Sequence, residues 1–94
     1  MVVILSCHSE LIGNIFSNAG IPHVICIKER EKISDVASII FARNFYKMLF
    51  RDNKINVCQA FEHAKNSVRL QAGAKCQRGE DSKFVLKYHH KAKH

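Results

Sequence analysis

The chain has 94 residues, of which 47% are hydrophobic, and a formal net charge of +7 from 15 Lys and Arg against 8 Asp and Glu. This length fits one small domain, and the apolar content predicts a packed core rather than a disordered chain. The apolar runs are too short to cross a membrane, and no basic leader precedes the first of them. We therefore expect neither a membrane protein nor a signal peptide.

The first predicted element is a strand, from the apolar run VVIL at residues 2–5. Because no polar residue alternates within this run, it is typical of a strand buried on both faces in a parallel sheet. Ser9 as N-cap and Glu10 in the first turn begin a predicted helix over residues 10–19, which Gly20 ends. The expected buried face of this helix consists of Leu11, Ile12, Ile15, Phe16 and Ala19.

A second apolar run, HVICI at residues 23–27, predicts a second strand. Strand, helix and strand at this spacing form a βαβ unit, so the two strands are expected to run parallel. The charged residues 28–32 follow the second strand directly. We expect them at the same rim of the sheet as Cys7, because both segments leave the carboxyl end of a strand.

Two more helices and a closing strand complete the predicted order β-α-β-α-α-β. Ser34 caps the second helix, and Asn56 forms an approximate capping box with Gln59 at the third. Residues 83–88 alternate in polarity and carry lysines, as edge strands do, and residues 89–94 are predicted to be a basic tail. The expected buried positions are Val36, Ile39, Ile40, Phe45, Leu49 and Phe50 in the second helix, with Phe41, Tyr46 and Met48 beyond them, and Val57, Phe61, Ala64 and Val68 in the third.

Four cysteines stand far apart in the sequence, and this spacing predicts free thiols. Cys7, Cys26, Cys58 and Cys76 form no CxxC pair, and a chain this apolar does not need a disulfide framework. We expect reduced thiols in a cytoplasmic protein, with no structural metal site and no cofactor. Cys26 and Cys58 fall on apolar faces and are predicted to lie in the core, whereas Cys76 falls in a polar loop and is predicted to be exposed.

The predicted sheet is incomplete on one side. A strand as apolar as residues 2–5 normally has a neighbour along each edge, yet the second and last predicted strands cover only one of these edges. The sequence therefore predicts half of a sheet. Such a sheet needs more chain, a second copy or a protein partner alongside its first strand.

Three segments resemble the CHAT branch of the caspase-like cysteine peptidase superfamily. They are VVILSCHS at residues 2–9, AGIPHVICIKEREKISDVASIIFARNFYKMLF at 19–50, and NVCQAFEHAK at 56–65. The closing KFVL at 83–86 also fits, so the resemblance covers nearly the whole chain. It implies a three-layer caspase-like half-sheet in which residues 1–88 are the C-terminal half of the domain.

The resemblance also implies a catalytic site and a reaction. Cys7 would be the nucleophile of a cysteine peptidase, and backbone N–H groups near His8 would hold the oxyanion. Glu29 and Glu31 would border the substrate cleft, where a carboxylate meets a basic side chain. The sequence departs from the family motif because it has no Ala between Ser6 and Cys7, and it begins after the segment that supplies the family's general-base histidine.

The histidines of this chain are poorly placed to replace that base. The side chain of His8 is expected on the opposite face from Cys7, and His23 lies at the opposite end of its strand from the rim that carries the thiol. His63 is predicted on a solvated helix face. His89, His90 and His94 fall in the tail. We therefore expect a fragment that is inactive alone and acts through association with a protein or peptide.

Other interpretations of these residues remain open. Cys7 is alternatively an inert, half-buried thiol, and residues 28–32 are alternatively a solvated loop. The net charge of +7 also allows a basic α/β module that binds nucleic acid or an acidic protein. This basic module is less favoured than the peptidase fragment, because the sequence lacks the interleaved aromatic and basic residues of RNA-binding sheets.

Overall fold

The computed structural model describes residues 1–29, 31–51, 55–74, 76 and 78–88, so the predicted tail at 89–94 lies outside the described residues. The elements follow the predicted order β-α-β-α-α-β, with one short 3₁₀ helix added before the last strand, and the α/β class is confirmed. Their bounds are β1 (Val2–Val3), α1 (Glu10–Asn18), β2 (His23–Ile27), α2 (Asp35–Arg51), α3 (Val57–Leu70), the 3₁₀ helix (Glu80–Lys83) and β3 (Phe84–Tyr88).

The sheet has three strands in the order β1-β2-β3. β1 runs parallel to β2, with Val3 opposite Ile25, and β3 runs antiparallel to β2. The strand buried on both faces is therefore β2 and not β1, since residues 24–27 are fully buried whereas residues 2–5 are only half-buried. The expected burial of β1 on both faces was wrong, because an apolar run shows that a strand is hydrophobic but not how completely helices cover its faces. The expected strand order, with one edge of β1 not covered by a described strand, is confirmed.

The chain divides into two compact units. One unit holds Met1–Ile33 together with residues 83–88 of the described chain, and so contains the sheet and α1. The other unit holds Ser34–Ser82 and contains α2, α3 and most of the 3₁₀ helix.

In the sheet unit, α1 packs against β2 and β3 through its glycine. A Cβ atom added at Gly13 would lie 2.7 Å from Cys26 Sγ, so the helix backbone lies directly on the sheet. Helical geometry places Leu11 and Ile15 on the side away from Gly13, and their side chains are 59% and 63% exposed. The predicted buried face of α1 was wrong, because the close approach at the glycine turns the bulky apolar residues outward.

In the helical unit, three phenylalanines form the contact between α2 and α3. Phe41 stacks on Phe45 with ring centroids 5.9 Å apart, and Phe61 meets Phe41 edge-on at 5.7 Å. The capping box of Asn56 and Gln59 is confirmed, with both reciprocal hydrogen bonds present. For α2 the predicted buried side was partly wrong, because Phe41 is buried while Val36, Ile39 and Phe50 are exposed.

A buried carboxylate holds the start of α2. Glu80 is 2% exposed and accepts hydrogen bonds from the Ser34 backbone N–H at 2.9 Å and from its hydroxyl at 3.0 Å. The Ser34 hydroxyl in turn accepts from Ala37 N–H, as predicted for an N-cap.

Cys76 is also buried, so its predicted exposure was wrong, and Cys58 is half-buried rather than fully in the core.

The contact between Gly13 and Cys26 predicts a specific cost of enlarging the glycine. Gly13→Ala should lower the free energy of unfolding by about 1–3 kcal/mol, because the new methyl group overlaps the buried sulfur. Asn14→Ala on the same helix is the control and should have a smaller effect. Chemical denaturation measures both, and adding Cys26→Ala to Gly13→Ala should restore part of the loss. Equal stability of Gly13→Ala and the unmodified chain would refute the close approach.

Candidate functional site

The exposed thiol of Cys7 lies in the turn that follows β1, at the carboxyl end of the strand. Its Sγ accepts a hydrogen bond from the Ile33 backbone N–H at 3.3 Å and lies 3.6 Å from the Ile33 carbonyl oxygen. Both partners are backbone atoms, so the thiol is held by the chain that follows β2. Ile33, the partner of the thiol, directly follows residues 28–32, the segment predicted to share the rim with Cys7.

His8 has the left-handed backbone angle φ of 61°, which is uncommon for a residue with a side chain. Its N–H donates to the Glu31 carbonyl oxygen at 3.3 Å. The predicted oxyanion donor is therefore bound to one of the two predicted substrate-binding residues. A substrate oxygen at this N–H would have to take the place of the Glu31 carbonyl.

We call residues 31–33 the strap, because their backbone contacts both Cys7 and His8. Lys83 fastens this strap: its Nζ donates to the Lys32 carbonyl oxygen at 2.7 Å and lies 4.0 Å from the Glu31 carboxylate. The Glu31 N–H bonds to the Lys28 carbonyl oxygen, which closes a turn before the strap. One lysine from the end of the 3₁₀ helix thus holds the segment whose backbone is hydrogen-bonded to the thiol.

Ser9 joins the carboxyl ends of β1 and β2, a role that sequence reasoning missed. Its hydroxyl is buried, donates to the Ile4 carbonyl oxygen at 3.0 Å and accepts from the Ile27 N–H at 2.8 Å. It occupies the predicted N-cap position, but its side chain makes no capping bond. The sequence offers no periodic signal for this role beyond a small hydroxyl residue between a strand and a helix.

Glu10 ties the same rim to the first residues after β2. Its carboxylate accepts from the Glu29 N–H at 2.9 Å and pairs with Lys87 Nζ on β3 at 2.7 Å. The hydrogen bond from Lys87, followed by that from the Glu29 N–H, lowers the pKa of Glu10 below its usual value. Glu29 therefore meets the site through its backbone, while its residue is exposed to solvent.

The described surroundings of Cys7 contain no group placed to act as a general base. Among the described residues, no imidazole is hydrogen-bonded to the Cys7 sulfur. His23 begins β2 and so lies at the amino end of that strand, away from the rim where the thiol sits. His63 belongs to α3 in the helical unit, and the three histidines of the predicted tail lie outside the described residues.

The other cysteines differ from Cys7 in their surroundings. All four are free thiols, and Cys7 is the one classed as exposed. Burial against α1 raises the pKa of Cys26, which makes its thiolate scarce and its sulfur unreactive. Cys7 therefore differs from the other three cysteines in its exposure to solvent and in its place at the carboxyl end of a strand.

Two further searches of the described chain concern metals and membranes. No group of three or more His, Cys, Asp or Glu side chains in the described part is arranged to hold a metal ion. No helix within the same ranges has the length and apolarity needed to cross a membrane.

Comparison with known proteins found no matching family model, no matching curated protein and no matching solved structure.

The Glu10 contacts predict an acid-sensitive part of the stability. Because the carboxylate is bound in the folded chain, its contribution is complete above pH 4.5 and is lost as the pH falls through the lowered pKa. Glu10→Gln should therefore reduce the free energy of unfolding at neutral pH by up to about 1 kcal/mol, and this difference should shrink in acid. Denaturation across pH measures it, with Glu29→Gln as the control. A deficit that is the same at every pH would contradict the assignment.

Release of the strap should free the Cys7 sulfur from its hydrogen bonds to Ile33 and so raise its reactivity. Lys83→Met removes the hydrogen bond to the Lys32 carbonyl, and we expect iodoacetamide to alkylate Cys7 roughly fivefold faster, as loss of about 1 kcal/mol of restraint implies. Peptide mass spectrometry follows each cysteine separately, with buried Cys26 as the unreactive reference. Lys28→Met provides a matched loss of charge beside the strap. An unchanged rate at Cys7 would show that Lys83 does not restrain it.

Proposed function

We propose that this chain is the C-terminal half of a caspase-like CHAT domain, with Cys7 at the position of the peptidase nucleophile. One observation carries the proposal: the exposed thiol lies at the carboxyl end of a parallel strand that is itself at the edge of the sheet. In α/β folds this end of a strand is where reactive groups gather. The sequence resemblance over residues 2–86 supports the same assignment.

The reaction follows from the groups at this rim and one group from outside. The Cys7 sulfur attacks the carbonyl carbon of a peptide, and its proton passes to an imidazole supplied by a partner. The oxyanion forms at the His8 N–H, after which the imidazole returns the proton to the leaving amine as the C–N bond breaks. Water then releases the acyl group from sulfur. The strap must open first, because it holds both the thiol and the N–H.

The open edge of β1 is where we propose that such a partner binds. Ile4 donates its N–H to Ile25 O at 2.7 Å, so the alternation along a strand turns the N–H and C=O of Val3 to the other side. A partner strand would pair there and would stand next to the strand that carries Cys7. The exposed Leu11, Ile12 and Ile15 of α1 add apolar surface in the same unit, as interaction faces do.

Association, rather than catalysis by the chain alone, is therefore the proposed activity. No described imidazole is hydrogen-bonded to the Cys7 sulfur, and a peptidase thiol depends on such a base for its attack on a carbonyl. The backbone contacts from Ile33 and the bond between His8 and Glu31 keep the site closed as well. The proposal accordingly assigns hydrolase chemistry to the assembled protein.

Added imidazole provides a direct test of the nucleophile and of the missing base. In the Lys83→Met chain, imidazole should increase the rate at which a peptidyl acyloxymethyl ketone labels Cys7 relative to Cys58. Cys7→Ser in the same background is the control for labelling elsewhere. The physical reason is that free imidazole supplies the proton acceptor that the described site does not provide.

Two results would overturn the proposal in different parts. Labelling of Cys7 that rises no more with imidazole than that of Cys58 would remove it as the nucleophile. Rapid Cys7-dependent peptide cleavage by the unmodified chain without imidazole would show that the chain carries its own base.

A further inference from the structure

The helical unit carries a groove between α2 and α3 that the peptidase proposal does not use. It consists of two adjoining depressions with volumes of about 220 Å³ and 250 Å³, which share Asn44 in their lining. Arg43 lines the first depression, and Lys47 and Arg51 line the second. The groove therefore follows α2 along about its last three turns, from Ile40 to Arg51.

The charge along this groove is of one sign. Arg43, Lys47 and Arg51 are exposed and stand four residues apart, which places them in a row on one face of the helix. Within the described ranges, none of the three makes an ion pair, and no carboxylate lines either depression. Glu62 is adjacent to the lining residue His63 in sequence but does not itself line the groove. The three cations are thus exposed, and no carboxylate lies among the described residues that line the groove.

The spacing of these cations suits a peptide. Four residues of helix advance by about 6 Å. Side chains on one face of an extended peptide recur at about 6.6 Å, since every second residue points the same way. Glutamates or aspartates at alternate positions would therefore meet Arg43, Lys47 and Arg51 in turn.

The other residues that line the groove favour a peptide ligand over a nucleic acid. Three aliphatic side chains, Ile40, Met48 and Leu70, line the groove, and Leu70 is 79% exposed. The ring in this lining is the His63 imidazole, and no Phe, Tyr or Trp side chain lines either depression, whereas surfaces for single-stranded nucleic acid stack successive bases on several aromatic rings. Aliphatic patches beside cations match an acidic segment that also carries leucine or similar side chains.

We infer that the α2–α3 groove is a docking site for an acidic peptide segment of a partner protein, with carboxylates on the α2 row and aliphatic side chains against Leu70 and its neighbours. Asn44 lines both depressions, and its Nδ2 donates to the Ile40 carbonyl oxygen. This site is separate from Cys7 in residues and in chemistry. Its occupation would require neither an open strap nor a reactive thiol.

Fluorescence anisotropy on the full chain tests the inference. The probe is a labelled peptide with glutamate at every second position and two leucines among the serines between them. Lys47→Gln and Arg51→Gln should each weaken binding roughly twofold to fivefold, as expected for exposed ion pairs, and added salt should weaken it further. Arg69→Gln, an exposed cation of α3 that does not line the groove, is the matched control and should bind as the unmodified chain does.

Three companion probes decide the chemistry of the ligand. Replacing the leucines by serine should weaken binding, and replacing the glutamates by glutamine should abolish it. A single-stranded oligonucleotide of equal charge should bind less tightly than the leucine-containing peptide. Tighter binding of the oligonucleotide, or an equal loss with Arg69→Gln and Lys47→Gln, would overturn the inference. Circular dichroism of each variant establishes that its helices are retained.

Discussion

The buried hydroxyl of Ser9 is the contact on which the rim of the sheet depends. β1 pairs as a strand over only two residues, and the chain must leave it to begin α1. Ser9 replaces the missing backbone ladder by bonding to the Ile4 carbonyl and the Ile27 N–H together. Because both of these groups would otherwise be buried without partners, this one side chain fixes where Cys7 and His8 lie relative to the end of β2.

Around that fixed point, the polar groups of the rim are largely bound to one another. Glu10 holds the Glu29 N–H, the strap holds Cys7 and His8, and Lys83 holds the strap. Such a rim is held at its base by several hydrogen bonds, while Cys7 itself is exposed. Strap contacts made by backbone atoms depend weakly on side-chain identity, whereas the Lys83 contact is a single removable restraint. Loss of that contact would release the sulfur from the strap without unfolding the sheet.

The two units present different surfaces to possible partners. The sheet unit offers an open strand edge and an apolar helix face, which suit the addition of a strand and further packing. The helical unit offers a row of cations beside aliphatic side chains, which suits a charged and flexible segment. The first kind of contact is stabilised by burial of apolar surface and the second by electrostatic attraction. Added salt should therefore weaken the second more than the first.

The sequence by itself determined the elements, their order and the parallel pairing of β1 with β2. Those features follow from local periodicity, from caps such as Asn56 with Gln59, and from the short βαβ connection, all of which are written within a few residues. It also predicted Cys7 at the same rim as residues 28–32, because both segments leave the same end of parallel strands. The predicted burial of Phe45, Phe61 and Val68 is confirmed, but other apolar positions depended on the tertiary structure. Gly13 and not the leucine and isoleucines of α1 faces the sheet, and Phe41 rather than Phe50 faces α3, because backbone approach and helix rotation are set by packing between distant elements. The Ser9 hydroxyl bonds to Ile27, which is 18 positions away, and Lys83 bonds to Lys32, which is 51 positions away. No local sequence pattern encodes contacts over such separations.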